Sequence, residues 1–130
     1  VGEAVVHYPY VEHREIPALM SAAEEMVFPV THAEGFGIPV IEAMACGTPV
    51  LSVAQGSVPE FATGAALLVE TSSADHLQAG LERLMGEPAL RRSLSEQGLG
   101  RAATITWRFS AERILQDLVA AARARDGGAA

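Results

Sequence analysis

Two carboxylates separated by seven residues frame the segment in which residue types and spacing suggest chemistry most directly. Glu34 and Glu42 stand on either side of a Gly-Phe-Gly-Ile-Pro turn that leads into an apolar helix. Pro39 suits the first turn of a helix, where its missing N–H costs nothing, and Gly35 and Gly37 let the backbone approach a ligand closely. The free N–H groups of that turn favour an electron-rich ligand. This corner therefore predicts binding of a sugar and a nucleotide, with Glu42 accepting hydrogen bonds from two vicinal hydroxyls.

The elements around this motif alternate between short apolar segments and helical ones. Four segments have the apolar, often β-branched character of strands: residues 4–8, 26–28, 50–53 and 66–69. Helical patterns cover residues 16–23, 38–45, 58–61, 73–85, 88–102 and 109–125. The alternation predicts an α/β fold, a Rossmann-like parallel sheet of about four strands with helices on both faces, followed by C-terminal helices.

Helix ends and aromatic residues give more local predictions. Gly47 is expected to end the second helix, Ser72 or Ser73 to cap the fourth, and Ser110 to cap the last. Trp107 is expected to pack against the domain, and so is Phe109. Residues 1–125 are predicted to form the domain, and residues 126–130 a flexible tail.

Bulk properties limit the classes of protein to consider. At 130 residues the chain is long enough for one domain and too short for two. No run of about 18 apolar residues exists, so no membrane-spanning helix is predicted. Cys46 is the single cysteine, which excludes an internal disulfide and fits a reducing compartment such as the cytoplasm. The first residue is Val rather than Met, which suggests a chain processed or cut from a longer one.

Charge is divided unevenly along the chain. Residues 1–82 contain eleven acidic residues and one Arg, a net charge of −10, whereas residues 83–130 contain eight Arg and five acidic residues, a net charge of +3. The chain has no Lys. Nucleic acid is therefore not expected as a partner, since phosphate backbones require clustered basic residues. The positive charge that a nucleotide diphosphate would need is also scarce.

An ordered series of segments resembles one enzyme family. EGFGIPVIEAMACGTPV is similar to the E-x7-E motif of retaining glycosyltransferases with the GT-B fold, especially the large family 4. VHYPYVEHREIPALMSAAEEMVFPVTHAEGFG resembles the strand, helix and strand that lead into the motif. The Gly-x-x-Pro-Glu turn at residues 56–60 resembles a turn that the family has after the motif. The likeness extends over about residues 4–122, which makes it more specific than a short motif match.

The resemblance implies a catalytic role for Glu34, which would lie at the donor sugar near the reaction centre and orient the transferred hexose. Gly35, Phe36 and Gly37 would offer backbone N–H groups to sugar hydroxyls and to the phosphate side. The competing interpretations are a surface acid for Glu34 and a simple tight turn for the three residues after it. Retention would rest on positioning and charge stabilisation, although the sequence does not exclude a two-carboxylate scheme.

The resemblance also implies that Glu42 holds the ribose 2′- and 3′-hydroxyls and that Ile38 and Pro39 pack beside the nucleotide. An exposed helical acid is the competing interpretation of Glu42. The donor substrate would be a nucleotide-diphosphate sugar, and no further cofactor is expected. No metal site is predicted, because the four histidines are scattered along the sequence: His7, His13, His32 and His76. His32 is expected to be an exposed loop residue. The alternative interpretation is that it faces the sugar or the phosphate of the donor.

By this resemblance, the sequence begins at the third strand of a sheet of about six. The strand and loop that carry the family's diphosphate-binding Arg and Lys would precede it, as would the domain that binds a sugar or glycolipid acceptor. The isolated chain is therefore expected to be inactive. Without the first two strands the sheet would have an apolar edge. Either the remaining strands would rearrange and pair, or a homodimer or a partner chain would cover the edge.

Two alternatives remain at this point. Another GT-B member, such as a sugar-nucleotide 2-epimerase or a synthase, would share the sheet but differ around the motif. The second alternative is a non-catalytic remnant that binds a nucleotide or a partner chain. The resemblance also leaves open a location at the inner face of the membrane rather than free in the cytoplasm.

Overall fold

The computed structural model describes residues 4–32 and 35–127. Its centre is a parallel sheet of three strands, which lie in the order β1, β2, β3. Their bounds are Met26–Phe28, Val50–Val53 and Leu67–Val69. Met26 lies opposite Val50, and Leu51 lies opposite Leu67. Each connection between neighbouring strands contains a helix, as parallel pairing requires, and the three predicted strands from residue 26 onward are confirmed.

The helices follow the predicted pattern closely. A short 3₁₀ helix at His13–Glu15 leads directly into the first α-helix. The α-helices are α1 (Ile16–Ala22), α2 (Ile38–Ala45), α3 (Val58–Ala62), α4 (Ala74–Gly86), α5 (Pro88–Thr104) and α6 (Trp107–Gly127). Helices α1, α2, α3 and α5 each have a proline in the first turn, where the missing N–H breaks no intrahelical bond. The predicted caps at Ser73 and Gly47 are confirmed: the Ser73 hydroxyl accepts the His76 N–H at 3.3 Å, and Gly47 has φ of 75°.

Alternate strand residues face opposite sides of the sheet, and helices cover both sides. On one side, β1 and β2 pack against α2 and α3 through residues that include Met26, Val50 and Phe61. On the other side, Leu51 and Leu84 join β2 to α4. Helix α4 lies so close that a Cβ at Gly80 would be 2.6 Å from Leu51 Cδ1. The expected α/β fold with helices on both faces is therefore present.

The strand predicted over residues 4–8 is absent, so the described sheet has three strands rather than about four. Residues 5–8 have no regular secondary structure, and Val5, Val6 and Tyr8 are exposed by 63%, 72% and 63%. Apolar and β-branched composition favours a strand only where a neighbour can pair with its backbone groups. In this structure β1 pairs with β2 alone, and no described strand lies beside residues 4–8.

The start of the last helix also differs from the prediction. Helix α6 begins at Trp107, not at Phe109, and the Thr106 hydroxyl accepts the Phe109 N–H at 3.1 Å, so Ser110 lies inside the helix and does not cap it. Trp107 and Phe109 do not pack against the domain: they are 86% and 59% exposed. The neighbouring Ile105 occupies the core position at this corner instead. The helix continues to Gly127, and residues 128–130 lie outside the described range.

Helix α6 carries an apolar stripe that the described residues leave uncovered. Ile114, Leu115 and Leu118 are each about 60% exposed, at 59%, 62% and 63%. Even so, within residues 4–32 and 35–127, no helix has the combination of length and apolar character needed to cross a bilayer.

One acidic side chain at the amino end of the sheet is placed unfavourably for a charge. Glu25 directly precedes β1 and is half-buried, and its Oε2 atom is buried with no hydrogen-bond partner in the described part of the chain. Burial raises the pKa of Glu25 above its usual 4.5, the neighbouring Arg91 opposes the rise, and repulsion from Glu24 adds to it. The Glu25 carboxyl group therefore binds its proton more tightly in the folded state than in the unfolded chain.

This shift predicts a pH-dependent loss of stability. The stabilisation from protonated Glu25 is fully present below the usual pKa and is lost as pH rises through the raised pKa of the folded state. Glu25→Gln should match wild type near pH 4 and become the more stable protein towards about pH 7. Thermal unfolding of both proteins across this pH range measures the effect, and Glu96→Gln, at an exposed position of α5, is the control. A constant difference between Glu25→Gln and wild type would contradict the assignment.

Candidate functional site

The carboxyl ends of the three strands meet at one edge of the sheet, where parallel α/β folds bind ligands. Three connections leave this edge: residues 29–37 after β1, residues 54–57 after β2 and residues 70–73 after β3. The first connection carries the predicted motif and leads into α2. The predicted binding residues from Gly35 to Glu42 thus lie on the loop and helix that follow the carboxyl end of β1, whereas Glu34 lies outside the described residues.

Gly37 fixes how the loop enters α2. Its φ is 79° and its ψ is 47°, a left-handed conformation that is costly for residues with a Cβ. A Cβ here would also be 3.1 Å from Val58 Cγ2 and 3.7 Å from Phe61 Cζ. The Gly37 carbonyl accepts the Val40 N–H at 3.0 Å, which starts the helix. Glycine is therefore required both by the backbone and by the contact with α3.

Among the residues that the structure describes, no side chain caps the first turn of α2, and no acidic residue lies in that turn. The positive end of the helix dipole is consequently left for an electron-rich ligand. Gly35 borders this end and is exposed, with no other group within 4 Å of where its Cβ would be. The loop thus offers backbone next to open space, as close approach by a sugar or a phosphate requires.

An aromatic pair forms the apolar wall of the loop. The rings of Phe36 and Phe61 lie 5.3 Å apart with an angle of 36° between their planes, a favourable tilted arrangement. Phe61 is buried, whereas Phe36 is 45% exposed and Ile38 is 49% exposed. Phe36 is therefore anchored on the core through one face and leaves apolar surface beside the start of α2.

Glu42 lies on α2 one turn after Ile38 and is half-buried. No described residue forms a hydrogen bond or an ion pair with its carboxylate. A carboxylate in this position can accept hydrogen bonds from two adjacent hydroxyl groups of a ligand. The structure thus leaves both predicted features, the helix end and the acid, available on a single helix. His32 lies exposed in the loop before them.

Five arginines of α4, α5 and α6 have partners in the structure, and these partners are helix-end carbonyls or acids four residues away, not groups of the motif loop. Arg101 on α5 donates to the Phe61 carbonyl at 2.7 Å, at the end of α3. Arg91 donates to the Leu84 and Met85 carbonyls at the end of α4. The remaining arginines of this kind form ion pairs with acids four residues away: Arg83 with Glu87, Arg108 with Glu112 and Arg113 with Asp117. None of these contacts places a guanidinium at the start of α2.

A polar cluster at the end of β3 was not predicted from the sequence. The Thr71 hydroxyl lies 2.9 Å from His76 Nδ1 and also accepts the Ser73 N–H at 3.3 Å. The sequence signal is the Thr-x-Ser spacing ahead of a helix, which identifies a cap but not its histidine partner. Among residues 4–32 and 35–127, no three His, Cys, Asp or Glu side chains form a group that could hold a metal ion.

Sequence comparison assigns the family. Residues 1–101 match the family described as glycosyl transferases group 1. The chain belongs to this family. The resemblance found in the sequence is thereby confirmed, and the chain is a group 1 glycosyltransferase domain. A comparison with curated proteins finds no match.

Solved structures of glycosyltransferases share the fold. Sucrose-phosphate synthase from Thermosynechococcus elongatus is 32% identical, with a TM-score of 0.80 over 92% of this chain and 31% of that one. The C-terminal domain of LpcC, a group 1 glycosyl transferase from Francisella tularensis, is 29% identical, with a TM-score of 0.65 over 76% of this chain and 51% of that one. HepE from Anabaena, crystallised with UDP, is 22% identical, with a TM-score of 0.69 over 85% of this chain and 30% of that one.

These matches confirm the predicted fold of a partial GT-B C-terminal domain. The chain spans less than a third of the length of the sucrose-phosphate synthase and HepE chains that it matches.

The geometry at Gly37 gives a direct test of the loop. Gly37→Ala should lose more stability than Gly64→Ala, because both positions have φ near 80° but only Gly37 faces a neighbouring side chain, Val58. The left-handed conformation alone costs about 1–2 kcal/mol in each variant. Urea denaturation measures the difference between the two. Equal losses would show that the contact between residue 37 and Val58 does not constrain the loop.

Proposed function

We propose that this chain binds the nucleotide-diphosphate sugar donor of a retaining glycosyltransferase, which transfers the hexose to an acceptor hydroxyl. The observation that carries the proposal is a combination on α2. The helix end at the left-handed Gly37 is capped by no described side chain, and the carboxylate of Glu42, about one turn later, pairs with no described residue. The first suits the anionic or hydroxyl-rich part of the donor. The second suits the vicinal hydroxyls of a ribose.

In this proposal each predicted site residue has a defined part. Glu42 accepts hydrogen bonds from the ribose 2′- and 3′-hydroxyls, and Ile38 supplies apolar surface beside the nucleotide. Gly35, Phe36 and Gly37 present backbone N–H groups to the sugar and the diphosphate. Glu34 is the proposed catalytic residue that orients the hexose, an assignment that rests on the E-x7-E resemblance.

The chemistry proposed for the complete enzyme relies on positioning. In a retaining transfer, the leaving phosphate and the incoming hydroxyl share one face of the sugar. The bond to the phosphate oxygen breaks, the new glycosidic bond forms, and the proton of the acceptor hydroxyl passes to the leaving group. Stabilisation of the developing positive charge on the sugar would then come from fixed oxygen atoms and dipoles. The isolated chain is proposed to bind the donor without turnover.

The proposal also covers the donor nucleotide, the acceptor and the location in the cell. The HepE structure contains UDP, which supports a uridine nucleotide as the first donor to test. The acceptor, a sugar or a glycolipid, is proposed to bind on another domain. A cytoplasmic location is supported by the single Cys46, which fits a reducing compartment.

Isothermal titration of the chain with UDP, GDP and their hexose conjugates tests donor binding. Glu42→Gln should weaken binding by about tenfold or more, since a hydrogen bond to a charged group contributes roughly 1.5–3 kcal/mol. Glu96→Gln, an exposed acid on α5, should bind as wild type does. Absence of saturable binding to every ligand, in a chain with a folded circular dichroism spectrum, would favour a non-catalytic domain that acts through a partner instead.

The free edge of β1 predicts an association in solution. Within the described residues β1 pairs with β2 alone, and the half-buried Met26–Phe28 segment therefore has an unpaired side. We propose that a second copy or a partner chain covers this edge, because unpaired apolar strands tend to associate. Light scattering of the isolated chain should show a concentration-dependent dimer. A monomer at all concentrations would contradict the homodimer.

A further inference from the structure

The connection between β2 and α3 contains a buried hydroxyl that pairs with no described residue. Ser57 Oγ is buried and has no hydrogen-bond partner within residues 4–32 and 35–127. Burying a hydroxyl without a partner is unfavourable, and native structures mostly avoid it. The only other buried, unpaired side-chain atom among the described residues is Glu25 Oε2, which lies at the opposite end of the sheet. A buried, unpaired hydroxyl close to the candidate site is explained if its partner is a ligand and not another part of the protein.

The position of Ser57 at a helix start does not explain it. Ser57 directly precedes α3, but its backbone is already helical, with φ of −82° and ψ of −11°, and its side chain makes no cap. Ser73 provides the contrast within the same chain. It precedes α4 in an extended conformation, with φ of −63° and ψ of 149°, and its hydroxyl accepts the His76 N–H. The usual capping function of serine is thus performed at Ser73 and not at Ser57.

Ser57 directly precedes the residues of α3 that contact the candidate site. The next residue, Val58, is the nearest neighbour of the space over Gly37, 3.1 Å from where a Cβ would stand. One turn further along, Phe61 packs on Phe36 of the motif loop. Ser57 as a whole is only half-buried. To reach a ligand, the oxygen would turn about χ1 to another staggered position, from its buried position towards the exposed side of the residue.

We propose that the Ser57 hydroxyl forms a hydrogen bond with an oxygen of the bound donor, either a diphosphate oxygen or a hexose hydroxyl. This assignment rests on the proposed function, and it adds a ligand contact from the connection after β2 to the contacts from the motif loop and α2. The unpaired state of Ser57 Oγ without a ligand then has a reason, because the partner arrives with the donor.

Titration of the Ser57→Ala variant of the 130-residue chain tests the proposal, with UDP or GDP and the matching hexose conjugate, whichever binds wild type. The dissociation constant should rise about three- to tenfold, the range expected for one hydrogen bond. An equal rise for the free nucleotide and its conjugate identifies a diphosphate oxygen as the partner. A rise for the conjugate alone identifies a hexose hydroxyl.

The Tm of the ligand-free protein is a second measurement, and it distinguishes a ligand-binding serine from one that stabilises the fold. Because Ser57→Ala removes an unpaired buried hydroxyl, its Tm without ligand should rise, by about 2 °C or more. Ser52→Ala is the matched control. Ser52 is fully buried, and its hydroxyl donates to the Phe28 carbonyl at 3.2 Å, so its removal should lower Tm and leave the dissociation constant unchanged.

The possible failures are distinguishable. If wild type binds a donor and Glu42→Gln weakens that binding but Ser57→Ala does not, the Ser57 proposal is wrong and the proposed function stands. A lower Tm in Ser57→Ala would assign the residue a structural role and would also overturn the proposal. If wild type binds none of the ligands, the proposed function fails, and the ligand contact of Ser57 fails with it.

Discussion

All four side chains of β2 are buried, and the positions of the other elements depend on this burial. Neighbouring residues of a strand face opposite sides of the sheet, so Val50 and Leu51 cannot both be shielded unless helices cover both faces. Helix α2 provides the cover on one side and α4 on the other. The chain crosses from β1 to β2 through α2 and from β2 to β3 through α3, and in a parallel sheet these connections all leave from the carboxyl ends of the strands. The candidate site is a consequence of that arrangement.

The same packing explains why the start of α2 is so narrowly defined. Val58, which begins α3, is fully buried and stands against Gly37. Helix α3 is itself tied to α5, because Arg101 donates to the Phe61 carbonyl. The loop that carries the motif therefore rests on a supported surface, although its own contacts with the core are few. Binding groups held by a rigid frame need less ordering when a ligand arrives.

Sequence alone predicted the elements that are locally determined and missed those that depend on a neighbour. The strands from residue 26 onward, the helices, and the cap at Ser73 follow from composition, periodicity and capping chemistry. Residues 4–8 have the composition of a strand, but whether a strand forms depends on pairing with a neighbour. Trp107 is of a residue type that usually packs in a core, but here its side chain is exposed. The motif located the candidate site, whereas the unpaired hydroxyl of Ser57 depends on the conformation of a connection that no residue pattern encodes.

Five arginines are engaged by helix-end carbonyls or by acids four residues away, which has a consequence for how a donor would reach this domain: Arg83, Arg91, Arg101, Arg108 and Arg113. Ligands with negative charge are captured fastest where a protein surface presents an excess of positive potential. Residues 1–82, which contain the motif, have a net charge of −10, and the arginines of α4 and α6 that form ion pairs contribute little beyond their own acids. A nucleotide diphosphate would approach this part of the chain without electrostatic attraction. Its residence would depend on short-range contacts that form only after arrival, so selectivity would be expressed in the dissociation rate and not in the encounter rate.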